Sequence, residues 1–532
     1  MPETPTISIH GRWKKLDGDR SQVLERAREC AKITIPQLMP PSGSGSATKF
    51  NTPWQALGAR GVNNLASKLI LALFPPNQAF FRLKLDDEVA AKISQDDNAK
   101  TVVETGMSKM ENDILEEIEG RATRMAVFEA AKHLVVTGNS LIFIDDEGAG
   151  LRVYRLDQYC VKRDPMGNVL EIITKESISP LALPADLRAL VTEDGDTKEN
   201  PIDQKPVDLF TRVVRGDGIW EISQEINSKE VPSSAGTYPL DKSPFIPLRW
   251  SALAGEDYGR GLVEEYLGDL KALEELSKAI IEGSAAAAKL LVMINPNGST
   301  RISKIANAAN LDMIEGNAED VSFLQVEKFN DFRVALETIK NLEQRLAAAF
   351  MLNTSVQRDG ERVTAEEIRY MARELEDALG GVYSVLGKEL QLPIVSVIQF
   401  QMTREGKLPK LPEGKVKLTI VTGLEALGRS HELVKLNTWM QEVNVLGPDV
   451  VAPYIFVSEY IARVSLATGV DQKGLVRSEE EVMQKQAEAQ KAAADQETMG
   501  NVIKSGAAAN AVKGMMESGN AANLGAAAPA GA

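Results

Sequence analysis

Residues 351–370 read MLNTSVQRDGERVTAEEIRY, and their centre is a polar stretch between two segments with helical periodicity. On the N-terminal side, Ala335, Ile339, Leu342, Leu346 and Phe350 fall on one face of a helix predicted over 331–352. On the C-terminal side, Thr364 and Glu367 have capping-box spacing. Ile368, Ala372, Leu375, Leu379, Val382 and Leu386 then continue at 3-4 spacing towards Pro393, and Gly380-Gly381 marks a kink site. Between the helices stand Gln357, Arg358, Asp359, Glu361 and Arg362 around Gly360, so "QRDGER" is formally neutral. No His, Cys or phosphate-binding glycine pattern accompanies it, and its charges need a purpose other than catalysis.

Upstream, "LVEEYLGDLKALEELSKAIIEGSAAAAK" predicts another helix after Gly261. Between it and 331, "LLVMINPNG" reads as a strand and turn, and "DMIEG" and "SFLQV" as two short strands. The local order is therefore helix, small α/β insert, helix, polar loop, kinked helix. "SAAAAK" suits either a close-packed seam between helices or an exposed helix end of high propensity.

Further towards the N-terminus the periodicity changes. "NSLIFID", "LRVYRL", "YCVKRDPMGNVLEIITK", "VDLFTRVVR" and "GIWEISQEI" alternate and are rich in Val, Ile, Tyr and Phe, predicting antiparallel strands with hairpin turns at "RDPMGN" and "RGDG". Residues 98–138 read as two helices joined near Gly120. "TPWQALGARGVNNLASKLILALFPP" predicts a helix capped by Thr52, with Pro53 in its first turn and Pro75-Pro76 as its stop. Trp54 and "LILALF" are expected in the core. A helix over "DRSQVLERARECAKITIP" precedes the flexible "PPSGSGSATK". At the other end "KVKLTIV" predicts a strand, followed by two or three helices, the last opened by a capping box from Ser478 to Glu481. Residues 505–532 are nearly devoid of large apolar groups and read as disordered or weakly helical.

At 532 residues the chain is too long for one core, and about three to five packed units are expected. A formal charge of −15 argues against a nucleic-acid binder held by a basic face, though not against a protein that encloses nucleic acid without gripping it. Two cysteines, Cys30 and Cys160, make no disulfide framework and suit a reducing compartment. The N-terminal stretch has no apolar region of signal-peptide type, and "AIIEGSAAAAKLLVMI" falls short of a membrane span. His10, His133 and His431 are the three histidines, and none stands beside a Cys or a second His at ligand spacing. His133 is expected to be hydrogen-bonded or solvent-facing. There is no Walker A sequence, since "GGVYSVLGKEL" has the wrong spacing and Glu389 where Ser or Thr must hold magnesium. There is no GxSxG elbow and no GxGxxG after a strand. Acidic pairs such as Glu264-Glu265 and Glu366-Glu367 read as solvated helix surface. Nothing here points to an enzyme, a metal or a cofactor.

Four segments resemble a known family: "NTPWQALGARGVNNLASKLILALFPP", "DYGRGLVEEYLGDLKALEELSKAI", "AFMLNTSVQRDGERVTAEEIRYMARELEDALGGVYSVLGKELQLP" and "TGLEALGR". They are similar, in order and from about residue 20 to residue 430, to the head-to-tail connector (portal) family of short-tailed, autographivirus-type podophages. The resemblance implies a mixed α/β, predominantly helical portal fold and a ring, usually of twelve copies, at one capsid vertex of the virion. Double-stranded DNA would pass through it during packaging and ejection. The terminase and the tail adaptor or tail tube protein would dock on it, and the major capsid, scaffolding and internal core proteins would be neighbours. No membrane is involved, and the chain would be made in the host cytoplasm.

By the same resemblance, residues 1–260 would be the wing, with 139–250 its β-rich part, and 261–290 and 331–352 the stem helices. The clip would be 291–330, the tunnel loop 353–365, the kinked helix and wing return 366–430, the helical crown 431–500 and the tail 501–532. Gln357, Arg358, Asp359, Glu361 and Arg362 would then face the DNA channel, where a neutral loop can touch the duplex without holding it. Arg301 and Lys304 of the clip, surface charges by default, become candidates for contact with the tail adaptor or terminase. Two rival functions are a packaging enzyme, such as a terminase or nuclease, and a capsid-internal helical scaffold.

Overall fold

Alternation and helical spacing over these segments set where each element buries its apolar side. A computed structural model describes most of residues 8–352 outside 90–96 and 184–205, most of 374–420 outside 410–415, and scattered residues between 436 and 464. The chain divides into two compact units, Met1–Leu427 and Gly428–Ala532, fewer than its length suggests. Among the described residues, the larger unit carries one extensive core and two small satellite clusters. In the smaller unit the described residues include a helical stretch at 438–443.

The N-terminal helices are α1 (Ile9–Asp19), α2 (Ser21–Ile33), α3 (Leu57–Leu73), α4 (Asp97–Gly120) and α5 (Thr123–Thr137). Val62, Leu65, Leu69 and Leu73 of α3 are all buried, as their 3-4 spacing requires, and each large side chain so placed contributes about 1.5–3 kcal/mol. The start of α3 differs from expectation. Its first residue is Leu57, the preceding Ala56 provides no side-chain cap, and Thr52 and Pro53 lie outside the helix. Glu274, far along the chain, accepts from the backbone N–H groups of Trp54 and Gln55 at 2.9 and 3.1 Å. The Gln55 amide oxygen then accepts from Gly58 N–H at 2.8 Å. The side-chain cap is therefore Gln55 rather than Thr52, with Glu274 holding the turn ahead of it, and Trp54, left ahead of the helix, is 49% exposed instead of belonging to the core.

All strand pairs in the described residues are antiparallel, as alternation predicted. Strands β2 (Asn139–Ile144), β3 (Leu151–Tyr154) and β10 (Phe245–Arg249) make one sheet in the order β10-β2-β3. A larger sheet runs β4 (Tyr159–Arg163), β5 (Val169–Ile178), β6 (Val207–Arg215), β7 (Ile219–Ile226), β8 (Lys229–Glu230), with β9 (Gly236–Pro239) also on β7. The β4–β5 turn places Gly167 at φ +88°, and the β6–β7 turn places Gly218 at φ +81°, a region where glycine meets no steric penalty. β1 (Phe81–Leu85) pairs β13 (Val416–Ile420), joining segments from opposite ends of the larger unit.

α1 was not apparent from the sequence. It lies against the larger sheet, with Trp13 packed on Phe210 and Leu16 in a small cluster with Cys160 and Ile173. The Glu225 carboxylate, from β7, accepts from the N–H groups of Ile9 and His10 at 2.6 and 3.2 Å, where a helix start favours an anion. Arg12 pairs with Glu171 at 2.7 Å, and Arg212 holds the other oxygen of the same carboxylate at 2.7 Å.

His133 is neither solvent-facing nor fully hydrogen-bonded. It is 1% exposed in the middle of α5, and its Nδ1 has no partner among the described residues. Burial holds its imidazole at a pKa of about 4, so it is neutral at physiological pH. Burial likewise pushes the Cys30 and Cys160 thiols up to about 12, leaving both unreactive.

Candidate functional site

The two long helices that flank the insert have 21 residues each, and only the first is entered through a break. After α6 (Leu262–Glu265) the chain turns at Tyr266 into α7 (Leu267–Ala287). α9 (Phe329–Ala349) packs against α7 and turns Leu342, Leu346 and Phe350 into the core. Of "SAAAAK", Ser284 to Ala287 continue α7, and Ala288 and Lys289 lie outside the described residues.

The insert between them holds β11 (Leu291–Ile294), the short helix α8 (Ile302–Ala306) and β12 (Val321–Leu324), with β11 and β12 paired antiparallel. "DMIEG" is not a strand. Leu311 stands at φ +75°, Leu311 and Met313 are 96% and 103% exposed, and no strand lies alongside among the described residues. The segment is shaped by a polar knot. The Asp320 carboxylate accepts from Ser299 Oγ at 3.2 Å, Thr300 N–H at 3.1 Å and Thr300 Oγ1 at 3.1 Å. Burial pulls this carboxyl upward, but the bonds from Thr300 and Ser299 outweigh it and hold it below the usual carboxylate range. A Cβ on Gly298 would come within 2.3 Å of that carboxylate, so only glycine fits the turn.

Arg301 precedes α8 and Lys304 lies on it, and both are exposed. Lys304 pairs with Glu315 at 3.3 Å, while Arg301 forms no ion pair among the described residues. Beside them Ile302 is 69% exposed, so this end of the insert offers cations and apolar side chains together.

Gln357, Arg358, Asp359, Glu361 and Arg362 lie outside the described residues, as do both expected capping boxes and the 505–532 segment. The anchorage of the polar stretch is described on both sides. At its start Phe350 packs against Gly61 of α3, where an added Cβ would approach the ring to 2.5 Å. Met351 takes φ +54°, and Asn64 Nδ2 donates to the carbonyl oxygens of Phe350 and Met351 at 3.1 Å each. Lys68 Nζ donates to Met351 O at 2.9 Å. The same Nζ reaches the Glu374 carboxylate at 3.4 Å, where the described chain resumes. One buried lysine of α3 therefore holds both ends of the excursion 352–374.

Sequence reasoning passed over Asn64, Lys68 and Glu374. The available signal was a lysine at a position of the α3 pattern that faces the core. Beyond Glu374, Gly380 turns the chain at φ +40° where a kink was expected. α10 (Gly381–Leu386), a π-helical turn (Gly387–Gln391) and α11 (Leu392–Arg404) follow. The wide turn puts Glu389 within 3.3 Å of Arg249 and lets Gln391 donate to Leu73 O.

Among the described residues no three His, Cys, Asp or Glu side chains are grouped to hold a metal, and no helix is long and apolar enough to cross a membrane. The arrangement is a packed base that carries the small, partly apolar insert and holds the two described ends of the segment 353–373.

Comparison with known proteins agrees with the resemblance. The portal protein of Escherichia phage T7 is 43% identical over 482 residues, covering 90% of this chain and 89% of its own. That of Enterobacteria phage T3 is 42% identical over 474 residues, 88% of each chain. That of Pseudomonas phage phiKMV is 31% identical over 497 residues, 92% of this chain and 96% of its own. The model of the bacteriophage head to tail connecting protein family matches residues 7–476, and with relatives similar across nearly their whole lengths, this chain belongs to that family.

Proposed function

We propose that this chain is the portal of a short-tailed phage: the ring at one capsid vertex through which double-stranded DNA is packaged and later ejected. The observation that carries this reading is identity of 43% with a portal protein over 90% of the chain. On it, 1–260 is the wing, α6–α7 and α9 are the stem, 291–330 is the clip and 353–365 is the tunnel loop. The anchorage of 352–374 on Lys68 supports the last assignment, because a loop that meets moving DNA needs fixed ends.

Arg301 and Lys304, exposed beside apolar residues, are the proposed clip contacts for the tail adaptor or terminase. Gln357, Arg358, Asp359, Glu361 and Arg362 are the proposed channel contacts. The ring, of twelve subunits on this reading, closes through heterologous contacts between neighbours. Class-averaged electron micrographs of the purified protein should show closed rings with a central channel. Only monomers or dimers by mass photometry at micromolar concentration would overturn the proposal.

A further inference from the structure

The chain carries a net charge of −15, yet one surface has a local excess of unpaired cations. Between α2 and the segment after it lies a cleft of about 760 Å³, lined by Arg26, Arg28, Lys32 and Lys49 with Glu25 and Glu29. Arg26 is paired with Glu264 at 3.7 Å and Glu29 with Lys271. Arg28, Lys32 and Lys49 have no ion pair among the described residues, and Glu25 supplies one unpaired acid against them. The Nε of Arg28 is also buried without an acceptor among the described residues. Met39 and Phe50 give the cleft an apolar side.

A second surface is its complement. The last turns of α4 carry Asp113, Glu116, Glu117 and Glu119. Glu117 is neutralised by Arg121 at 2.9 Å and Lys407 at 3.4 Å, and Glu119 by Arg124. Asp113 and Glu116 have no ion pair among the described residues, and they line a cleft of about 470 Å³ with Met402 and with Glu117 and its two cations, Arg121 and Lys407. α2 and α4 both pack on α5, but through different neighbours: α2 also meets α6 and α7, and α4 meets β1 and α11.

From this we infer that the α2 cleft of one subunit receives the acidic end of α4 from the next copy of the same chain. The inference rests on the ring reading above and names its electrostatic contact. A cyclic ring uses two different patches on every subunit, so a basic one and an acidic one on the same protein satisfy each neighbour in turn. About two unpaired positive charges then meet about two unpaired negative ones, and desolvation at the apolar sides strengthens the attraction.

The test is charge reversal in the full-length protein, read by mass photometry and electron microscopy. Arg28→Glu, Lys32→Glu and Lys49→Glu together should lower the ring population roughly tenfold at moderate salt, as should Asp113→Lys with Glu116→Lys. Far-UV circular dichroism should stay unchanged. Raising the salt concentration should relieve part of the defect in each variant by screening the new repulsion. The decisive arm combines all five substitutions in one chain, which exchanges the signs of the two patches and should restore rings. Rings at the wild-type level with either patch reversed alone, or a combined variant no better than its parents, would overturn the contact. Wild-type protein that never forms rings would instead remove the ring reading, and this inference with it, before any variant is made.

Discussion

Lys68 is 8% exposed, and its ammonium lies between a carbonyl oxygen at 2.9 Å and a carboxylate at 3.4 Å. A buried cation is tolerated only where such partners replace water, so the contacts fix the lysine as much as the lysine fixes them. Lys68→Met keeps most of the aliphatic bulk but removes the ammonium from Glu374 and one of the donors to Met351 O, which keeps Asn64 Nδ2. Urea unfolding should then show a loss of about 1–3 kcal/mol, with part recovered by Lys68→Arg. An unchanged midpoint would mean the anchor contributes nothing net. Gly61 acts at the same root through volume: an alanine there must push the Phe350 ring aside. The sequence announced Phe350 through its helical spacing. It could not announce Gly61 or Lys68, because a glycine's close approach and a lysine's burial depend on what packs opposite.

The elements that were legible are those whose own pattern determines them. α4, α5 and the antiparallel strands follow from periodicity, and the "RDPMGN" and "RGDG" turns from glycine. The failures are non-local. α1 has only Ile9, Trp13 and Leu16 as buried residues, and its start and outer face are held by Glu225 and Glu171, some 160 to 216 positions away. Burial raises the Glu171 carboxyl, but bonds from Arg12 and Arg212 outweigh it and hold it below its ordinary value. A carboxyl with a lowered folded pKa contributes stability that is fully present above the unfolded value. That contribution is lost as pH falls through the folded one. α1 should therefore loosen below about pH 4.5, seen as a red shift in Trp13 fluorescence in a variant with its other tryptophans replaced. Glu171→Gln should reproduce the loosening at neutral pH as faster tryptic cleavage after Lys14 or Lys15. If cleavage there is unchanged, Glu171 is not what holds the helix.

At the scale of the whole molecule, the proposed portal role makes the net charge of −15 a constraint on how DNA would be handled. A ring of such chains, as proposed, would repel DNA on balance, and phosphate contacts would have to be few for the duplex to slide. Each added Lys or Arg contact increases affinity and makes it more salt-dependent. "QRDGER" is formally neutral, which on the proposed channel role would permit brief contact without tight holding. Deleting 354–363 should leave ring assembly intact, because the core contacts before it, through Met351 and Leu352, stand outside the deletion and the apolar pattern after it resumes at Ile368. DNA packaging or retention should change. Asp359→Lys with Glu361→Lys tests the electrostatic part directly by turning a neutral loop strongly basic, and a ring multiplies the effect. DNA binding should tighten, its affinity should fall more steeply with salt, and packaging or ejection should slow. Were this variant to package and eject at the normal rate in low salt, the loop would not meet DNA, and its charges would be solvated surface between two helices.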